Sequence, residues 1–514
     1  MNSHLLRIFS FFIILATLPS TQTLAEDGQL TSEMIQEFQA AFQWTAPSRA
    51  AHNAVTNNQL NNLALNREVL RAHDTKFTHK IKTRGITNQK SSGRCWMFAG
   101  LNTLRPKVIA SKNLDSFEFS TAYLQFWDKM EKSNLFLEQM IELRDRTFTD
   151  REWQLLVEWA EGDGGWWNYV TALIEKYGVV PKDVMPETYA SEHTGTMNRV
   201  LKMRLCAEAV QIRNAAAQGM ATEDLREMKK AALSDIYRFL AINLGTPPSS
   251  FEWRYEPSSK DKDENTDAVS NASEEENPDN EESVDSGDAG MKECPSEPSS
   301  ETEKSNATEL TPFESYTPLS FYRDFVGVSL EEYVCLYNDP TNEFHRHFLF
   351  RRSTNMAGAP EMDFVNLPAS QLKQAAMEAV LQNEPVWFAA DVGVDHYGDL
   401  GILADDVYDY ESIFGMDLSL SKADRIRFGL GASNHAMVFT GVDILNGEPR
   451  KWLVENSWGT EKGDQGCWTL YDSWFDENVY VVIVPKTFVS KEILAIFSEP
   501  AIELPPWYPG AVGL

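Results

Sequence analysis

Asn88-Gln89-Lys90-Ser91-Ser92-Gly93-Arg94-Cys95-Trp96-Met97-Phe98-Ala99 is the stretch on which the reading of this chain turns. A polar, glycine-bearing run passes into an apolar one, and the change predicts a helix opening at or near Cys95. Unpaired N–H groups and the dipole at a helix N-terminus favour negative charge, and the thiolate is the nucleophilic form of cysteine. Taken alone, a cysteine is more often a small buried hydrophobe. Here Gln89 stands six residues upstream. From there its side-chain amide could fold back over the thiol and, with the Cys95 backbone N–H, form an oxyanion hole.

A thiol nucleophile needs a base, and the chain has only nine histidines. His4 falls in the leader. His52, His73, His79 and His193 sit in polar contexts and read as surface groups. His345 and His347 alternate as if on one face of a strand. That spacing could suit a metal, but no third ligand accompanies it. His396 reads as a loop residue. His435 opens the apolar strand Ala436 to Val442, and a strand end is a rigid place from which to aim a side chain. The next strand, Lys451 to Val454, runs into Asn456-Ser457-Trp458-Gly459. Two neighbouring strands could bring the Asn456 amide onto the His435 imidazole and fix its tautomer, with Trp458 shielding that bond from water. Taken alone, Asn456 would be a turn residue and His435 a structural histidine.

Working outward, the halves differ. Residues 86–256 read as mainly helical: Val170, Leu173, Ile174 and Tyr177 share a helix face stopped by Gly178, and Leu225, Met228, Ala232, Ile236 and Phe239 form a second stripe. Ser370 is positioned to cap a helix carrying Leu372, Ala376 and Val380. Residues 313–498 turn strand-rich, with Val386–Phe388, Ala436–Val442, Lys451–Val454 and Val479–Val484. Helices first and strands later predict an α+β fold. Between the halves, residues 257–312 carry 17 acidic residues against four lysines and almost no large apolar ones. Such a segment cannot offset the entropy of ordering and reads as a disordered surface insertion. At the start, Arg7 precedes an apolar run from Ile8 to Leu18, then Pro19-Ser20 and Thr23-Leu24-Ala25. Residues 1–25 therefore read as a cleaved signal peptide followed by an N-terminal segment, 26–85. The mature chain would be soluble and outside the cytoplasm, periplasmic or secreted; without a functional signal it would be cytoplasmic.

Composition narrows the partners. The 514 residues are 42% hydrophobic and 24% charged, which excludes a wholly disordered chain. The formal charge of −30 repels phosphate backbones and argues against nucleic acid. Five cysteines cannot make a disulfide framework, and an odd number leaves a thiol unpaired.

Gln89, then Cys95, His435 and finally Asn456-Ser457-Trp458-Gly459 stand in an order that resembles the papain-like cysteine peptidases. Ser92 replaces the usual disulfide cysteine and Arg94 the usual small residue. These departures point to the bleomycin hydrolase and aminopeptidase C branch, which the chain resembles over roughly residues 60–250 and 313–514. The resemblance is carried by QKSSGRCWMFAGLNTLR, FEFSTAYLQFWDKMEK, GDGGWW, EKYGVVPK, NHAMVFTGV and VENSWG. It implies an α+β papain-like core with helical and hook-like insertions, release of N-terminal amino acids from peptide substrates, assembly as a homohexamer, and no metal or organic cofactor. It makes Cys95 the nucleophile, His435 the general base and then acid, Asn456 the orienter and Gln89 the oxyanion donor. Gly164-Gly165 would be the backbone edge that holds the substrate, beside Trp458. It further places the tail, 499–514, in or near the site, with the terminal carboxylate, that of Leu514 or of a residue before it if the tip is trimmed, holding the substrate's α-ammonium. Tyr508 stands where the family has an acidic residue, and Gly510 and Gly513 alter the tip. A cysteine endopeptidase with an open cleft is therefore the alternative. The intact set of Gln89, Cys95, His435 and Asn456 argues against a third reading, an inactive peptide-binding scaffold.

Overall fold

The computed structural model describes residues 28–258 and 310–511. Residues 1–25, nearly all of the acidic insertion, Gly513 and Leu514 lie outside the described residues. Contacts divide the chain into two compact units. In the smaller, residues 28–64 and 410–416, two helices are opened by threonine caps. The Thr31 side chain accepts from the Met34 N–H, and Thr45 forms a capping box with Ser48 before Ala46–Asn57. The Tyr410 hydroxyl donates to Asn61 at 2.8 Å.

The larger unit is built on one sheet. From one edge its strands run Ile502–Leu504, Arg346–Phe350, Asp363–Asn366, Tyr333–Tyr337, Val479–Pro485, Val386–Ala390, His435–Leu445, Glu448–Glu455, Cys467–Tyr471, Ile402–Leu403 and His396–Tyr397. His79–Lys80 pairs with the His435 strand from the N-terminal side. Central strands read as continuous apolar runs because both faces are covered: every residue of Val386–Ala390 is buried. Alternate side chains serve two cores. Trp387, Ala389, Ala436 and Val438 face the one that includes the Cys95 helix, while Phe388, Met437 and Phe439 face the other.

The Cys95 helix, Cys95–Lys112, is buried around most of its circumference through its first three turns, so it is a core helix rather than an amphipathic surface one. It packs against the His435 strand. The carbonyl of Trp96 accepts from the Trp387 indole at 3.1 Å. Around it lie the helices Thr121–Glu142, Trp167–Tyr177, Gly195–Ala217 and Thr222–Leu244. The predicted apolar stripes fall on the last of these and on Trp167–Tyr177, which Gly178 ends at φ 72°.

Some local expectations are corrected. The helix Ala369–Leu381 has Pro368 at its N-cap, and Ser370 lies inside its first turn. His345 precedes its strand with φ 59° and bonds Gln371, whereas His347 lies within the strand and meets the Glu499 carbonyl. The two rings therefore do not share a strand face. His396 belongs to a short strand rather than a loop. His79 is likewise a strand residue, and His73 is half-buried against the Tyr471 hydroxyl. Cys95, Cys206, Cys335 and Cys467 are free thiols among the described residues.

Candidate active site

The site is assembled from two sides. On the first, the turn Gln89–Arg94 delivers Cys95 as the first residue of its helix. On the second, His435 is the first residue of its strand and pairs with Ala390, while Val438 pairs with Glu455 on the next strand. That antiparallel register carries Asn456, one residue past Glu455, towards the strand start. The His435 Nε2 lies 2.9 Å from Asn456 Oδ1. The same oxygen accepts the Ser457 backbone N–H at 2.8 Å. The Ser457 donor fixes the amide oxygen towards the ring, so Nε2 carries the hydrogen and Nδ1 holds the lone pair.

The two sides are laced together by backbone. The Gln89 N–H donates to the Ser457 carbonyl at 2.8 Å and the Gly459 N–H to the Thr87 carbonyl at 3.0 Å. Gly459 must be glycine, since it has φ 74° and a Cβ there would stand 2.4 Å from the Asn88 amide nitrogen. The Gln89 side chain is held at both ends. Its Oε1 accepts the Ser457 hydroxyl at 2.6 Å, and its amide nitrogen donates to the Ser92 carbonyl at 2.6 Å, leaving a second N–H. The indole of Trp458 lies over the imidazole, with ring centroids 4.7 Å apart and a tilt of 32°. Cys95, His435, Asn456 and Gln89 are all buried.

Burial decides the charge state. It pushes the Cys95 thiol up to about 11, although the backbone N–H groups of Ala436, Trp96 and Cys95 act the other way. It pushes His435 down to about 4 against the bond to Asn456. The helix terminus favours the thiolate, and burial works against it. Burial works against either charge forming alone. A proton passed from Sγ to Nδ1 would create both together, each compensating the other.

Gly164 and Gly165 lie beside this turn and separate in role. The Gly164 carbonyl is taken by Lys132 Nζ at 2.6 Å. Gly165 offers its N–H and C=O to no partner among the described residues. A Cβ on Gly165 would sit 2.6 Å from the Trp96 indole, so only glycine fits. Gly164, Gly165, Trp166 and Tyr169 line a cleft that Pro506 of the tail also lines. The tail pairs with the sheet edge over Ile502–Leu504. Tyr508 gives its hydroxyl to Asp339 and also meets Thr341 Oγ1 at 2.6 Å. The Gly510 carbonyl accepts the Tyr337 hydroxyl at 3.0 Å.

Sequence reasoning passed over the charged groups behind the thiol. Arg94 is 1% exposed, pairs with Glu187 at 2.9 Å and reaches Gln125 and Ser92. Asp163 was visible only as a letter in GDGGWW, and Lys129 and Lys132 only as letters in FEFSTAYLQFWDKMEK. No local pattern reveals that the three meet.

Comparison with known proteins agrees with this geometry. The model of the Peptidase C1-like family matches residues 29–277 and 301–511. Aminopeptidase C of Streptococcus thermophilus is 34% identical over 93% of this chain and 98% of its own length. Human bleomycin hydrolase is 32% identical over 89% of this chain and 93% of its own. The crystal structure of PepW from Lactobacillus rhamnosis superposes with a TM-score of 0.82 at 32% identity, covering 95% of this chain and all of that one. With nearly the whole chain matched in sequence and in fold, it belongs to the Peptidase C1-like family of papain-like thiol peptidases, the family of aminopeptidase C and bleomycin hydrolase.

Proposed function

We propose that this chain is a cysteine-type aminopeptidase. Cys95 attacks the first peptide bond, His435 Nδ1 takes and later returns the proton, Asn456 orients the ring, and Gln89 with the Cys95 N–H receives the oxyanion. The observation that carries the reading is the fixed imidazole: the Ser457 N–H sets Asn456 Oδ1, which sets Nε2–H, which leaves Nδ1 as the base. The relatives' names support the exopeptidase half of the proposal.

The tail would supply the restriction to free N-termini. Its support is that Pro506 lines the cleft beside Gly164 and Gly165, and that Tyr508 and Gly510 are tied down just beyond. Removing residues 510–514 should leave peptide cleavage intact and raise turnover of N-acetylated peptides by at least tenfold. Intact enzyme that already cuts acetylated peptides as fast as free ones would instead establish the endopeptidase reading. The proposal includes a homohexamer, supported by the exposed Met34, Ile35 and Phe38 of the helix Ser32–Ala41. It also includes export with removal of residues 1–25. Analytical ultracentrifugation and N-terminal sequencing test these two parts.

A further inference from the structure

Asp163 is the meeting point of four segments. Its Oδ2 accepts the Gly93 N–H at 3.1 Å and the Thr194 hydroxyl. Its Oδ1 accepts Asn198 Nδ2 at 2.8 Å and lies 2.7 Å from Lys129 Nζ. Its backbone carbonyl accepts the indole N–H of Trp96, the residue after the thiol, at 2.7 Å. The approach to the turn is close: a Cβ on Gly93 would stand 2.8 Å from Asp163 Cβ. Two lysines of the helix Thr121–Glu142 hold the rest of this loop by its carbonyls. Lys129 binds those of Glu161 and Gly162, at 2.6 and 3.2 Å, and Lys132 binds those of Gly162 and Gly164. Asp128 pairs with Lys132 at 2.9 Å and accepts from Asn355.

We infer that Asp163 is a positioning residue of the reaction, a polar clasp that fixes the open Gly165 edge against the turn presenting Cys95. The inference rests on the peptidase reading above. Three observations carry it. The carboxylate reaches both sides of the junction, Gly93 before the thiol and the Gly164-Gly165 run through its own backbone. Every neighbouring carbonyl from Glu161 to Gly164, Asp163 included, is occupied, while the Gly165 groups stay open. Ser92 bonds to the Gln89 carbonyl at 2.6 Å, and Cys95, Cys206, Cys335 and Cys467 are free thiols, so no disulfide among the described residues performs this task. A buried carboxylate compensated by a buried ammonium keeps its charge: burial works against Asp163, and Lys129 with the hydrogen bonds from Thr194 and Asn198 outweighs it.

Removing the carboxylate alone strands the Lys129 ammonium in the core, so the test uses paired substitutions. Lys129→Met/Asp163→Ala removes both charges and the acceptor for Gly93; Lys129→Met/Asp163→Asn removes both charges and restores an acceptor. Readouts are melting, the rate of iodoacetamide alkylation at Cys95, and kcat/KM on a peptide with a free N-terminus. The alanine pair should melt cooperatively and alkylate within about threefold of wild type, because the small reagent does not need the edge. Its kcat/KM should fall roughly 10- to 100-fold, the scale of a misplaced binding edge. The asparagine pair should recover most of that loss. Should the alanine pair fail to fold, the asparagine pair decides, with an expected loss of roughly three- to tenfold at unchanged alkylation. A folded alanine pair within twofold of wild type overturns the clasp, as does an asparagine pair within twofold where the alanine pair does not fold; either result leaves the peptidase reading standing. Wild-type enzyme that alkylates at Cys95 yet cleaves no peptide overturns both.

Discussion

The two sides of the site are held by different forces. The imidazole side is carried by a ladder: His435 and Asn456 sit at the ends of paired strands whose register is fixed by consecutive backbone bonds. The thiol side is carried by side chains, with Arg94, Asp163, Lys129 and Lys132 paired or hydrogen-bonded around one turn. A ladder tolerates most side-chain changes because its bonds are main-chain. A charged cluster in low dielectric does not, because each removed partner leaves an uncompensated charge. The proposed nucleophile is thus positioned by the more fragile half, and the proposed base by the more robust one.

The largest effect should come from the proposed nucleophile. Cys95→Ala should lower peptide hydrolysis by about 10⁴-fold or more, to background, while the melting temperature shifts by only a few degrees. The thiol is small, and the clasp around it does not use sulfur. Residual turnover near wild type would remove Cys95 from the mechanism.

Next is the strut between the halves. Arg105, on the Cys95 helix, meets Glu455, the residue before Asn456, at 2.6 Å, and both side chains are 1% exposed. Arg105→Met should cost about 3–5 kcal/mol in urea unfolding because Glu455 stays buried and unpaired. Arg105→Met/Glu455→Leu should regain most of it. Equal stability of the two variants would show that the halves are held together by apolar packing alone.

These contrasts explain what could be read from the sequence. The imidazole side was legible because strands announce themselves by apolar runs, and their ends are where Ala436 begins and Val454 stops. Gln89 and Cys95 were legible through a family pattern tied to one helix start. The clasp was not, because Lys129, Asp163 and Thr194 lie on separate elements and only tertiary packing brings them together. The opposing pull on the thiol was hidden for a related reason. A helix terminus shows in local sequence, whereas the desolvation that raises the thiol comes from distant chain segments closing over it.

A smaller effect separates the sides by pH. His435 is held near 4 by burial, against 6.5 for an exposed imidazole. Between these values the unfolded chain binds a proton that the folded one refuses. The contribution is therefore fully present above pH 6.5 and lost as the pH falls to about 4, at most about 3 kcal/mol. Urea midpoints measured from pH 7 to 4.5 should fall less steeply in His435→Gln than in wild type. Parallel curves would mean that the ring is charged in the folded protein.

The smallest expected effect tests the ladder side at its one side-chain link. Asn456 Oδ1 serves two donors, and only one of them is the His435 ring. In Asn456→Ala the strand pairing and the 2.7–3.2 Å range of ladder bonds should survive, but nothing selects the tautomer with the hydrogen on Nε2. The Trp458 indole still covers the ring and limits its tilt. The expected loss is roughly tenfold in kcat with KM almost unchanged, since orientation of the base matters in the transition state and hardly in substrate binding. Asn456→Asp restores an acceptor in the same place and adds a negative charge that favours imidazolium. It should recover most of kcat while moving the acid limb of the rate profile to higher pH. If alanine costs a thousandfold and aspartate recovers nothing, the link does more than orient the ring, and the imidazole side is as dependent on one polar contact as the thiol side is on its clasp.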